Sequence, residues 1–280
     1  MSLCYLNGAF LPLAEARVPV LDRGFIFGDG IYEVIPVFGR RPFRFAEHRT
    51  RLARSLAAVA IRDPFDDAGW RALLDRLIAG NAGDDQSLYV QVTRGVAPRN
   101  HVPPPDLTPT VFAMSSLLDV PADPAPVSAI TLEDIRWSRC DIKAISLLAN
   151  VMFREAASAA GAYEAILVRN GILTEGAASN VFVVHGGRIR TPAHSPYILP
   201  GVTRDLVVEL LAGTSDAVIE GPIPAPLLTA AEEIWLTSST KELLPVGMLD
   251  GRRVGDGAPG SVYRRIKARY TEFRETLAAE

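Results

Sequence analysis

Four dipeptides, Asn7-Gly8, Asn170-Gly171, Gly186-Gly187 and Asp250-Gly251, interrupt short apolar runs along this 280-residue chain. Each suits the two central positions of a tight hairpin turn, where positive φ gives the twist that adjacent strands need. Hairpins make antiparallel neighbours, whereas a doubly wound parallel sheet needs a long crossover after each strand. With helices interspersed irregularly, these turns exclude the doubly wound class. They point to an α+β chain with mixed or antiparallel sheets.

The first hairpin falls at residues 4–12. In 47-EHRTRLARSLAAVAI-61, Leu52, Leu56 and Val59 recur at helical spacing, and 66-DDAGWRALLDRLIAG-80 opens on acids and closes on Gly80. Residues 87–95 and 109–118 alternate as strands. The segment 119-DVPADPAP-126 then carries three prolines, the composition of a linker. The expected organisation is a small N-terminal α/β domain over 1–118, a linker over 119–126 and a larger β-rich domain over 127–280. Within the latter we expect a strand over 127–137, a helix near 147–160 and hairpins inside 163–176 and 180–192. A helix should begin near Val202, followed by β-structure over 233–254 and a terminal amphipathic helix over 261–280.

Charge narrows the partners. The 29 basic and 32 acidic residues are well mixed and leave a net charge of −3, so neither a nucleic-acid footprint nor a polybasic membrane patch is expected. Cys4 and Cys140 lie far apart without metal-ligand spacing, and no metal site is expected. The opening MSLCYLNGAF lacks a leader pattern, and runs such as 142–153 are too short and interrupted to cross a bilayer. A cytoplasmic protein with reduced thiols is the expectation.

Several residues can carry chemistry. Lys143, flanked by Ile142, Ala144 and Ile145, is either a desolvated amine suited to imine formation or a lysine whose stem lies along the surface. Glu175 precedes Gly176, Ala177 and Ala178, small residues that admit a planar ligand; the alternative is a turn glutamate in water. Gly201, Val202 and Thr203 form a helix start able to attract phosphate, or an ordinary cap. The hydroxyl-rich 237-TSSTKE-242 and Arg51, just off its helix's core stripe, are further anion candidates, against a polar turn and a solvated Arg-rich face. The loop 94-RGVAPRNH-101 brings Arg94, Arg99 and His101 together and can trap a carboxylate, arginine supplying the fork and histidine a donor; the alternative is a mobile basic loop. The glycines of 23-RGFIFGDGIYEVI-35 lack the strand and helix context of a nucleotide loop.

In order and wording, DRGFIFGDGIYEV, EHRTRL, QVTRGVAPRNH, EDIRWSRCDIK, YEAILVRNG, TEGAASNVF, LPGVTRD and LTSSTKELLPV resemble the fold type IV pyridoxal-phosphate aminotransferases. The likeness runs from about residue 4 to about 265 and is strongest to the D-amino acid aminotransferase branch. It implies a two-lobed α+β subunit, pyridoxal 5′-phosphate as cofactor and a homodimer whose active site is completed by the neighbouring subunit. Lys143 matches the family lysine that forms the imine, and Glu175 the carboxylate paired with the pyridine nitrogen. Arg51, Val202, Thr203, Ser239 and Thr240 match the phosphate-binding positions, and Leu199 a leucine behind the ring. Tyr32, Arg99 and His101 match the trap for the substrate carboxylate in the D-amino acid enzymes. The implied reaction is ping-pong transamination of D-amino acids, such as D-alanine or D-glutamate, with 2-oxo acids. Asn100, Phe25 and Ile26 depart from the Bacillus-type pattern and bear on side-chain preference. The alternatives within the fold are a branched-chain L-amino acid or R-selective amine transaminase, or aminodeoxychorismate lyase.

Overall fold

The computed structural model describes residues 2–279, with side chains to residue 276. The chain forms two compact units. The first comprises Met1–Asp119 together with Ile142–Ser146, and the second Val120–Asp141 with Leu147–Glu280.

The first unit is built on β1 (Leu3–Leu6), β2 (Ala9–Pro12), β3 (Gly30–Phe38), β4 (Arg41–Pro42), β5 (Gln86–Thr93) and β6 (Thr110–Leu117). They form one sheet in the order β2-β1-β6-β5-β3-β4, antiparallel at every pairing. Three helices accompany it: α1 (Arg23–Phe27), α2 (Phe45–Ala58) and α3 (Asp67–Ala79). Leu52, Leu56, Trp70, Leu74 and Leu77 pack with Ile31, Ile35, Leu88, Val90 and Val111 as its core. Truncating one of these leucines to alanine costs about 2–5 kcal/mol. The α2 stripe is shorter than its periodicity suggests: Ala60 turns to φ 52°, so Val59 closes the helix as its cap.

The segment 142–146 returns to this sheet. Tyr32 N donates to Lys143 O at 2.9 Å, Ile145 N donates to Gly30 O at 3.1 Å, and Ile31 bridges Ala144. Here the glycines of the 23–35 stretch find their use. A Cβ on Gly30 would lie 3.0 Å from Ile145 Cδ1, and one on Gly28 (φ +65°) 2.7 Å from Ser146 Oγ. Only glycine admits that approach.

The second unit contains β7 (Val127–Glu133), α4 (Leu148–Ala159), β8 (Glu164–Arg169), β9 (Ile172–Gly176), β10 (Asn180–His185) and β11 (Arg188–Thr191). It continues through α5 (Val202–Leu211), β12 (Ile219–Glu220), α6 (Pro226–Thr229), β13 (Glu233–Ser238), β14 (Glu242–Leu249), β15 (Arg252–Arg253) and α7 (Ser261–Ala279). Its sheet runs β12-β11-β10-β13-β14-β7-β8-β9, with β15 on β14. Three pairings are parallel, β11 with β12, β14 with β7 and β7 with β8, so the sheet is mixed. Strand β7 ends at Glu133, four residues before the expected limit, because Asp134 Oδ1 accepts from Arg136 N at 3.0 Å and bends the chain away. The terminal helix follows its expected course to Ala279; Glu280 lies outside the described residues.

Candidate active site

The candidate residues fall into two groups of side chains, one in each unit. In the first, Lys143 is half-buried and its Nζ lies 4.2 Å from the centre of the Tyr32 ring, a cation–π position. Its backbone N donates to Ser55 Oγ at 3.3 Å, and its carbonyl is tied to β3. The lysine is thus fixed at its root on both sides, unlike a loose surface ammonium.

Arg51 is buried, contrary to the solvated-face alternative. Its Nε and Nη2 donate to the two oxygens of Glu33 at 2.7 and 2.8 Å, and Glu33 also meets His48 Nδ1 at 2.9 Å. Burial would raise the Glu33 carboxyl, but the Arg51 guanidinium and the His48 bond hold it well below the ordinary range. Burial, with Arg51 and Lys143 nearby, lowers His48 against the pull of Glu33. Glu33 escaped sequence reading, although a lone carboxylate in the apolar strand GIYEVIPVF was the available signal.

Arg99 and His101 are exposed. Both lie against Phe27, the Arg99 guanidinium 5.4 Å from the ring centre and the His101 ring 5.5 Å from it. The buried Arg23 donates to the carbonyls of Asn100 at 2.5 Å and His101 at 3.1 Å, and so fixes this loop's backbone.

In the second unit Glu175 is 4% exposed, so it is no turn glutamate in water. Its Oε2 accepts from Leu199 N at 2.9 Å and Asn180 Nδ2 at 3.2 Å, while Oε1 faces Arg136 Nη1 at 2.5 Å. Burial pushes its carboxyl up to about 7, against the pull of Arg136 and the Leu199 amide. Asn180 organises the group. It also donates to Leu199 O at 2.9 Å, pairs with Thr237 across β10 and β13, and sits where a Cβ on Gly201 would collide with it. Glu175, Leu199, the Val202–Thr203 helix start and the strand leading to Ser239 and Thr240 are thereby brought together. Asn180 and Arg136 were not read from sequence as site residues; both stand in quoted motifs, Arg136 within a mixed-charge run that reads as surface.

The donors fit pyridoxal 5′-phosphate. Helix α5 has no side-chain cap at Gly201, so its first N–H groups are available to a phosphate. Thr237 Oγ1 is buried without a hydrogen-bond partner beside the Ser239–Thr240 turn. Glu175, poised near neutrality, suits a protonated ring nitrogen, and Lys143 offers an amine.

Fold and donor set together define a pyridoxal-phosphate transferase of the aminotransferase class. Residues 30–248 match the family described as amino-transferase class IV, and the chain belongs to that family. It is 40% identical to the D-alanine aminotransferase of Bacillus licheniformis over 98% of this chain and 96% of that one. With the Staphylococcus haemolyticus D-alanine aminotransferase it shares 37% identity over the full length of both. Among solved structures, a T.th. branched-chain amino acid aminotransferase with pyridoxamine 5′-phosphate superposes with a TM-score of 0.88. That structure is 26% identical and covers 96% of this chain and 93% of its own. The Thermoproteus uzoniensis branched-chain aminotransferase shares the fold at a TM-score of 0.89 and 24% identity, over 97% of this chain and 94% of that one. Among the described residues no group of side chains is arranged to hold a metal, and no helix is long and apolar enough to cross a membrane.

Proposed function

We propose that this enzyme transfers the amino group of D-amino acids to 2-oxo acids, in two half-reactions, as a cytoplasmic homodimer. The observation that carries the substrate class is the 36–40% identity, over nearly the whole chain, to D-alanine aminotransferases. The Arg99 and His101 side chains supply the matching carboxylate trap.

Bound pyridoxal phosphate supplies an electron sink for the carbon that loses its proton. The residues of this chain do the rest. Lys143 Nζ is the amine that would hold the cofactor, and, when free, the group that would take the proton from substrate Cα as base and give it back as acid. Glu175 would face the cofactor's ring nitrogen, its carboxylate accepting from an N–H there, and its bonds to Leu199 N and Asn180 hold the carboxylate for that role. The Leu199 side chain supports the ring. Val202 and Thr203 N–H groups, the Ser239 and Thr240 hydroxyls and Arg51 would hold the phosphate, which contributes position. Tyr32, Arg99 and His101 receive the α-carboxylate, the Arg99–His101 loop serving the neighbouring subunit. A carboxylate trap like that of the D-amino acid enzymes would present the D-isomer's Cα proton to Lys143.

The test is a half-reaction panel with D-alanine, D-glutamate, L-leucine and (R)-1-phenylethylamine, followed by the cofactor's absorbance. D-alanine and D-glutamate should convert the cofactor. Conversion by L-leucine but not D-alanine would overturn the assignment in favour of a branched-chain L-enzyme. Borohydride reduction should leave the label on Lys143 alone.

A further inference from the structure

Strands β13 and β14 are joined by Ser239, Thr240 and Lys241, with Ser238 paired to Glu242 across the base of the hairpin. A residue in the left-handed conformation beside a hairpin turn is usually glycine, because a Cβ crowds the neighbouring carbonyl. Here that residue is Glu242, at φ 52°.

Its side chain is fully buried, and both oxygens are taken by α7. Lys267 Nζ donates to Oε2 at 2.6 Å and Arg274 Nη1 to Oε1 at 2.7 Å. Lys267 is itself only 8% exposed. A glycine would serve the backbone better, and apolar residues would join helix to strand at smaller desolvation cost. What neither provides is a directional link from a rigid helix to the residue that closes the Ser239–Thr240 turn. Buried polar links of this kind fix geometry more than they add stability.

We propose that Glu242, clamped by Lys267 and Arg274, is a positioning residue that sets the Ser239 and Thr240 hydroxyls for the cofactor's phosphate. The inference rests on the phosphate role proposed above for those two residues. The C-terminal helix then belongs to the cofactor site, although none of its side chains need touch the cofactor.

The experiment compares affinities of the full-length apoprotein for pyridoxal 5′-phosphate and for pyridoxal, by fluorescence titration, so that the ratio isolates the phosphate. Lys267→Met and Glu242→Gln should weaken pyridoxal phosphate on the order of tenfold while leaving pyridoxal unchanged, a loss typical of removing an outer support of a ligand-binding group. Lys267→Arg should restore most of the ratio. Ser239→Ala with Thr240→Val checks the underlying reading by lowering the ratio directly. If that pair leaves the ratio unchanged, the phosphate role itself fails. If it lowers the ratio but Lys267→Met and Glu242→Gln do not, only the clamp fails. Should Lys267→Met not fold, Glu242→Gln, which keeps side-chain size, decides. Equal weakening of both ligands would show a merely structural clamp and overturn the proposal.

Discussion

Arg136 holds two carboxylates at once: its Nη1 lies 2.5 Å from Glu175 Oε1, while Nε and Nη2 lie 3.0 and 2.9 Å from the oxygens of Asp134. The two acids respond differently. Asp134 is held down at about 2, its burial outweighed by Arg136, whereas burial wins at Glu175 and lifts it to about 7. One guanidinium thus keeps a permanent anion on one side and a group that titrates near neutrality on the other.

Replacing Arg136 by leucine removes the pull that opposes burial at Glu175. Its carboxyl should rise further, and the acid limb of the pH profile for turnover should move to higher pH. Arg136→Lys should fall between the variant and the wild type. A profile that stayed in place would separate Glu175 ionisation from the rate.

Acid should unfold the protein partly through Glu33 and His48. Both have folded pKa values below their ordinary ones of 4.5 and 6.5. The stability each contributes is therefore present above those ordinary values and lost as pH falls from them through the lower folded ones, beginning first at His48 and then at Glu33. Glu175, raised in the fold, runs the other way between about 4.5 and 7, so the useful quantity is a difference from wild type. His48→Asn should lessen the loss that begins near 6.5 in urea titrations, and Glu33→Gln should cost about 3–5 kcal/mol at neutral pH by stranding Arg51.

Gly30→Ala and Gly28→Ala should injure the lysine more than the fold. The added methyl crowds Ile145 Cδ1 at Gly30 or Ser146 Oγ at Gly28 and pushes residues 145 and 146 away from the first sheet. At Gly28 the left-handed backbone adds about 1–2 kcal/mol. The expected outcome is a small fall in melting temperature with a large loss of borohydride labelling at Lys143.

On the proposed carboxylate role, Arg99→Ala should lower turnover of D-alanine by on the order of a hundredfold, the effect of losing a charge-assisted fork, and barely affect a plain amine such as (R)-1-phenylethylamine. Equal losses would remove the carboxylate role.

What could be read from the chain was what local chemistry determines. Each of the four turn dipeptides has positive φ at both residues, for example 50° and 75° at Asn170 and Gly171, as their composition requires. Lys143 and Glu175 stood out by their surroundings, although local reading left both open. What escaped depends on long-range pairing. Glu33 acquires its meaning from Arg51 and His48 on α2, and Arg136 from a carboxylate 39 residues away. Glu242 occupies a left-handed position that no turn residue announces. The glycines at 28 and 30 were set aside as a weak nucleotide pattern because their partners, 145 and 146, lie far along the chain.

The return of residues 142–146 to the first sheet also bears on biosynthesis. Ile142 is part of that unit's core, and Ala144 bridges Ile31. A ribosome that has delivered residues 1–119 has delivered an unfinished body, with the pairing edge at Gly30–Tyr32 waiting for sequence still to be translated. Lys143, the proposed catalytic lysine, is carried on the piece that completes it. A nascent chain stalled before residue 146, or a fragment cut at the proline-rich segment, should therefore resist protease less well than one a few residues longer.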